Sequence, residues 1–161
     1  MTLDRIDLNI LDLLQRDATI PLGRIADRVG LSPTPCWKRV KKLEAAGAIR
    51  GRVALLDPDA LGLAVTAFLV VEAGDQGRDW RAAFREAVGG LDAVVELHRL
   101  SGRADFLAKV RVRTLADLDA LVETLTARVP MRACEVLISS ERLQETTAVP
   151  IPAPEPARAA G

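Results

Sequence analysis

The stretch Val29-Gly30-Leu31-Ser32-Pro33-Thr34-Pro35-Cys36-Trp37-Lys38-Arg39-Val40-Lys41-Lys42-Leu43-Glu44 shows both where the chain turns and what the next helix presents to solvent. Gly30 suits the left-handed position just past a helix end. Ser32 is a good N-cap, and Pro33 at the first helical position gives up no hydrogen bond. Cys36, Val40 and Leu43, spaced by four and three, predict an inward stripe. Thr34, Trp37, Lys38, Arg39, Lys41 and Lys42 are then expected to face outward. A helix that enters the major groove needs short polar or apolar residues at its N-terminal end, where it meets base edges, and cations along its length for the flanking phosphates. Ser32 and Thr34 fit the first need, and Lys38, Arg39, Lys41 and Lys42 fit the second. The helix N-terminus can itself hold a phosphate. Trp37 either packs beneath the helix or stacks near the DNA backbone. Taken alone, the four basic residues also describe a solvated face, so the neighbouring elements must decide.

Upstream, residues 4–16 place Ile6, Ile10, Leu11, Leu13 and Leu14 on one helical stripe. Residues 21–29 predict a short second helix with Leu22, Ile25, Ala26 and Val29 inward and Pro21 in its first turn. Three short helices with a tight Gly-containing turn between the last two describe a helix-turn-helix domain over residues 1–56. Its final piece, Ile49 to Leu56, reads as a strand or wing. Residues 57–64, opening with Asp57-Pro58, are the expected linker.

Beyond the linker the periodicity changes. Val65 to Glu72 is an apolar run expected to be a strand buried on much of both faces. A helix over 79–88 follows, then strands over 94–100 and 106–112 joined at Ser101-Gly102-Arg103-Ala104. A helix over 115–128 and a strand over 134–139 complete the series. The order β-α-β-β-α-β is the ferredoxin-like arrangement, here over residues 65–147. The fold class expected is therefore α+β: an N-terminal winged helix-turn-helix and a C-terminal ferredoxin-like βαββαβ domain. Two helices cover one face of a four-stranded sheet, so the other face needs a cover, and a second copy of the domain is the simplest partner. At least a homodimer is expected. Residues 148–161, rich in Pro and Ala, are expected to be a disordered tail.

Composition narrows the function. Lys and Arg balance Asp and Glu at 22 each, yet residues 1–52 hold ten basic against six acidic side chains, so only the N-terminal third is expected to meet a polyanion. No window is long and apolar enough to span a membrane, and the Met1–Arg5 start does not read as a signal peptide. Cys36 and Cys134, far apart in sequence, offer no disulfide framework, which fits a reducing cytoplasm. The lone His98 has no Cys or His partner at metal spacing, and no Gly-rich phosphate loop occurs. The chain is accordingly expected to be no enzyme and to need no metal or cofactor.

The strings VGLSPTPC (29–36) and RVKKLE (39–44), with DLNIL (7–11), GRVALLDP (51–58) and ELHRLSGRADFL (96–107), resemble the leucine-responsive regulator (Lrp/AsnC) family over roughly residues 3–147. The resemblance implies a DNA-binding transcription regulator of amino-acid metabolism whose C-terminal unit is the family's RAM (ACT-like) domain. It further implies dimers that assemble into tetramers or octamers, and an amino-acid effector. By matching motif, the effector site falls on His98, Leu100, Ser101, Gly102, Arg103 and Asp105, with Ile138, Ser139 and Ser140 more loosely. A Gly-containing turn exposes backbone N–H groups for a carboxylate, and Asp105 can hold an ammonium or cap the turn. His98 reads equally as a half-buried sheet residue. Trp37 and the ending Thr146-Thr147-Ala148-Val149-Pro150-Ile151 are similar to a subgroup that includes regulators responding to cysteine. The sequence departs from many members at Arg103 and Phe106 and contains no Tyr. A nucleoid-organising protein with weak base readout is the alternative function.

Overall fold

A computed structural model describes residues 2–74 and 77–152. The chain divides into two compact units. One comprises the described residues through Ala54 together with those from Gln144, and the other runs from Leu55 to Leu143.

The first unit is built from α1 (Arg5–Arg16), α2 (Leu22–Val29) and α3 (Pro33–Ala45). Asp4 caps α1, and with Asp7 it closes a reciprocal capping box. Gly30, with φ of 71°, ends α2 in the left-handed region and turns the chain into α3. Ser32 is the N-cap of α3, but its side chain makes no capping hydrogen bond. Ile10 and Leu14 of α1, Ile25 and Ala26 of α2, and Cys36, Val40 and Leu43 of α3 form a single buried cluster, so the inward stripe falls as its spacing requires. Ile49 to Leu56, expected as a strand or wing, forms no strand. Residues 50–57 are extended without strand pairing, and Val53, Leu55 and Leu56 are exposed. A strand needs a ladder of hydrogen bonds to a neighbour, and among the described residues this segment pairs with none. Part of the expected tail, 148–152, is described, and there the Val149 backbone N–H donates to Gln15 Oε1 at 2.9 Å. The rest of it, from residue 153, lies outside the described residues.

The second unit contains β1 (Val65–Ala73), α4 (Arg78–Gly89), β2 (Val94–Arg99), β3 (Phe106–Val112), α5 (Leu115–Arg128) and β4 (Met131–Ile138). The sheet order is β2-β3-β1-β4, and every pairing is antiparallel. This is the α+β, ferredoxin-like order that the periodicity predicts. Ala67, Leu69 and Val71 of β1 and Ala108 and Val110 of β3 are buried beneath Trp80 and Phe84 of α4 and Leu118, Leu121 and Leu125 of α5. Phe84 and Phe106 meet at 4.7 Å between ring centroids, and Trp80 stacks on Phe84 at 5.1 Å. The expectation that β1 is buried on much of both faces holds fully on one face, while the other is only partly buried within this chain. The residues of β1 alternate between fully and partly buried, because both helices lie on one side of the sheet. On the uncovered face, register places Phe68 between Lys109 and Leu137, and Val70 between Leu107 and Glu135.

Candidate nucleic-acid interface and sensor site

The solvent face of α3 carries the chemistry expected of a DNA reader. Thr34, Lys38, Lys41 and Lys42 are exposed and Ser32 stands exposed at the helix start, while Cys36 and Leu43 are fully buried beneath them. Trp37 is half-exposed rather than packed under the helix. Lys38 and Lys42 have no side-chain partner among the described residues, whereas the Lys41 ammonium donates to Glu44 Oε2 at 2.7 Å. Glu44 also lies 3.4 Å from Arg52, and chiefly the Lys41 hydrogen bond holds its carboxyl below the usual range.

Arg39 departs from the expected outward set. Its Nη1 donates to Asp4 Oδ2 at 2.6 Å and to Asp7 Oδ1 at 2.7 Å, both at the start of α1. The reason is helical geometry: Arg39 lies three residues after Cys36 and four before Leu43, which turns its stem toward the buried side. Asp4 and Asp7 are not among the candidate residues; the signal that could have found them is their D-x-x-D spacing at the start of a helix, which suits a capping box. The backbone N–H of Asp7, and then Arg39, hold the Asp4 carboxyl below its ordinary range, while the two carboxylates raise Arg39 further.

In the second unit, the turn from Leu100 to Asp105 joins β2 to β3. Leu100, Ser101, Gly102 and Arg103 are exposed on it. Backbone bonds Leu100 N–H to Asp105 O and Asp105 N–H to Val71 O close the turn and fasten it to β1. Asp105 Oδ2 accepts the Ala73 backbone N–H at 2.8 Å. His98 is exposed on the open sheet face rather than half-buried, with Nε2 3.3 Å from Glu96 Oε2. Glu96 also accepts Lys109 Nζ at 2.8 Å, and mainly that bond lowers its carboxyl below the usual value. Ile138, Ser139 and Ser140 do not join this turn within one chain. The antiparallel register sets Ile138 beside Ala67, and Ser139 N–H donates to Thr66 O, whereas the turn docks at Val71 and Ala73. Four strand residues, roughly 13 Å, separate the two places along β1.

A helix-turn-helix with a cationic solvent face, carried on one chain with a βαββαβ unit, defines a two-part DNA-binding regulator. The winged helix-turn-helix DNA-binding family matches residues 3–50, and the Lrp/AsnC ligand binding domain matches residues 66–149. The chain is 38% identical to the glutamate uptake regulatory protein of Zymomonas mobilis, over 93% of this chain and 92% of that one. It is 37% identical to the DNA-binding transcriptional activator DecR of Escherichia coli, over 92% of this chain and 99% of that one. Among solved structures, an AsnC family transcriptional regulator from Agrobacterium tumefaciens superimposes with a TM-score of 0.87 at 38% identity, covering 92% and 97% of the two chains. A Neisseria meningitidis transcriptional regulator solved with L-Met also gives 0.87, at 30% identity and the same coverage. This chain belongs to the Lrp/AsnC family of DNA-binding transcription regulators.

Proposed function

We propose that the protein controls transcription by reading promoter DNA with the outer face of α3 and changes that binding when an amino acid occupies its second unit. Thr34 meets a base edge, Lys38 and Lys42 meet phosphates, and Ser32 and the helix start flank them. Lys41 contributes after leaving Glu44, and Trp37 lies against the backbone beside them. The observation that carries this reading is the pair of exposed ammonium groups, Lys38 and Lys42, which have no side-chain partner among the described residues and stand above a buried stripe. The effector site is the Leu100–Asp105 turn with His98 beside it. Ile138, Ser139 and Ser140 complete that site only from a second copy. An amino-acid effector is supported by the L-Met held in the Neisseria relative, and cysteine remains one member of the class to be tried.

The acting species is a homodimer or a larger assembly of dimers. The half-buried Phe68, Val70 and Leu107 of the open sheet face, and the exposed Val53, Leu55 and Leu56, are apolar surface that a second copy would cover. The protein works in the cytoplasm, where its DNA lies, and performs no catalysis. Among the described residues no helix is long and apolar enough to cross a membrane.

The test is selection of bound duplexes from a random library by the full chain. Anisotropy then follows, in excess competitor DNA, with and without a panel of amino acids including methionine and cysteine. A selected duplex preferred by about 10³ or more over competitor, with affinity moved by one amino acid, is the expected result. Equal binding to every duplex, indifferent to the panel, would establish the nucleoid-organising alternative.

A further inference from the structure

The apolar contacts of Cys36, Val40 and Leu43 hold α3 against its neighbours, and a directional hydrogen-bonded contact adds a constraint that burial by itself does not supply. Among the described residues, the side-chain hydrogen bonds from α3 to another helix are those of Arg39 to Asp4 and Asp7. Asp7 is also the one polar side chain buried in the described structure, at 2% exposure. A buried carboxylate is tolerated when it is paired and hydrogen-bonded. The two carboxylates are themselves interlocked, because Asp4 Oδ1 accepts the Asp7 N–H at 2.8 Å and Asp7 Oδ2 faces the Asp4 N–H at 3.3 Å. The start of α1, both acids and the guanidinium therefore form one network, and a shift of α3 by an ångström would break it.

We propose that Asp4 and Asp7 are positioning residues of the DNA-reading helix: they hold Arg39 off the DNA and fix the angle at which α3 presents Thr34, Lys38 and Lys42. The proposal rests on the reading of α3 as the DNA contact. Base readout depends on placement to about 0.5 Å, so loosening this network degrades discrimination between sequences before it degrades attraction to phosphate.

The experiment uses the full chain as wild type, Asp7→Asn, Arg39→Ala, their double variant and Asp4→Asn, with Lys42→Ala for comparison. Circular dichroism establishes that each is folded. On a mixed-sequence duplex, Arg39→Ala is expected to leave the slope of log affinity against log salt unchanged, while Lys42→Ala lowers it by about 0.9. The preference for a duplex selected from a random library over the mixed one is expected to fall about tenfold in Asp7→Asn and in Arg39→Ala, and no further in the double variant, because both act through one contact. Asp4→Asn, at an exposed site, shows a smaller fall and keeps the test alive if Asp7→Asn does not fold.

An Arg39→Ala slope that drops like that of Lys42→Ala would make Arg39 a phosphate contact and overturn the proposal. Losses that add in the double variant, or a preference unchanged in every folded variant, would overturn it as well. A wild type that fails to bind the mixed duplex at all refutes the DNA reading instead. If selection yields no preferred duplex, the salt slopes on mixed DNA decide.

Discussion

One oxygen of the Asp105 carboxylate accepts the Ala73 backbone N–H across 32 residues of chain, which ties the β2–β3 turn to the end of β1. The carboxylate therefore has a structural duty, and among the described residues its side chain makes no other hydrogen bond. Asn at this position keeps an acceptor for Ala73 but removes the charge, whereas Ala removes both. Asp105→Asn is expected to leave thermal stability nearly unchanged and to abolish the response to the amino acid that shifts DNA binding. Asp105→Ala is expected to lose about 1–3 kcal/mol as well, because a partly buried N–H is orphaned. A full response in Asp105→Asn would limit Asp105 to capping.

The lysines of α3 are not equivalent. Lys42 has no partner among the described residues, while Lys41 is held by Glu44 at 2.7 Å. Lys42→Ala is expected to lower affinity for every duplex alike and to reduce the salt slope by about 0.9. Lys41→Ala, which loses a contact that must first leave Glu44, should change it less. Thr34→Ala should lower affinity by on the order of 1 kcal/mol at the selected sequence only. Anisotropy titrations at four salt concentrations on selected and mixed duplexes separate these outcomes.

Gly74 sits against the residues that lead into β4. A Cβ there would stand 2.8 Å from the carbonyl oxygen of Pro130 and 3.2 Å from its carbon, both backbone atoms. That same carbonyl accepts the indole N–H of Trp80, so it is not free to move aside. Gly74→Ala is expected to destabilise the second unit by about 1–3 kcal/mol. Calorimetry should show Tm falling by roughly 4–8 °C for each kcal/mol lost. An unchanged Tm would mean that the approach of Gly74 to Pro130 is not rigid.

Acid should loosen the α1–α3 network. The Asp4 carboxyl is lowered from its ordinary 3.8 by the Asp7 N–H and by Arg39. A group depressed in the folded state contributes stability above its unfolded value, and that stability disappears as pH falls through the folded value. Below about pH 4, wild type should therefore lose stability more steeply than Asp4→Asn, and the two should converge at the acid end. Parallel thermal-melt profiles for the two proteins would remove Asp4 from the account.

The parts of this protein legible in the sequence are those governed by neighbours within four residues. The 3.6-residue stripe of Cys36, Val40 and Leu43 and the left-handed Gly30 each follow from local geometry, whereas the alternation of Ala67, Leu69 and Val71 within the largely apolar β1 is set by the helices that lie on one side of the sheet. Local patterns outline both units, and the strings VGLSPTPC and RVKKLE carry the resemblance to the family. Local order also shows that Arg39 is basic and helical, but its partners lie 32 and 35 residues away at the start of α1. Only the packing of α3 on α1 decides that its guanidinium meets those two carboxylates. Likewise, the sequence places Ile138 near the end of a strand, while the antiparallel register decides that this end is the far one from Asp105. The segment Ile49–Leu56 has the residues of a strand, yet a strand exists only where another chain segment accepts its hydrogen bonds. Long-range pairing obeys burial and hydrogen-bond satisfaction, which no short window of sequence contains.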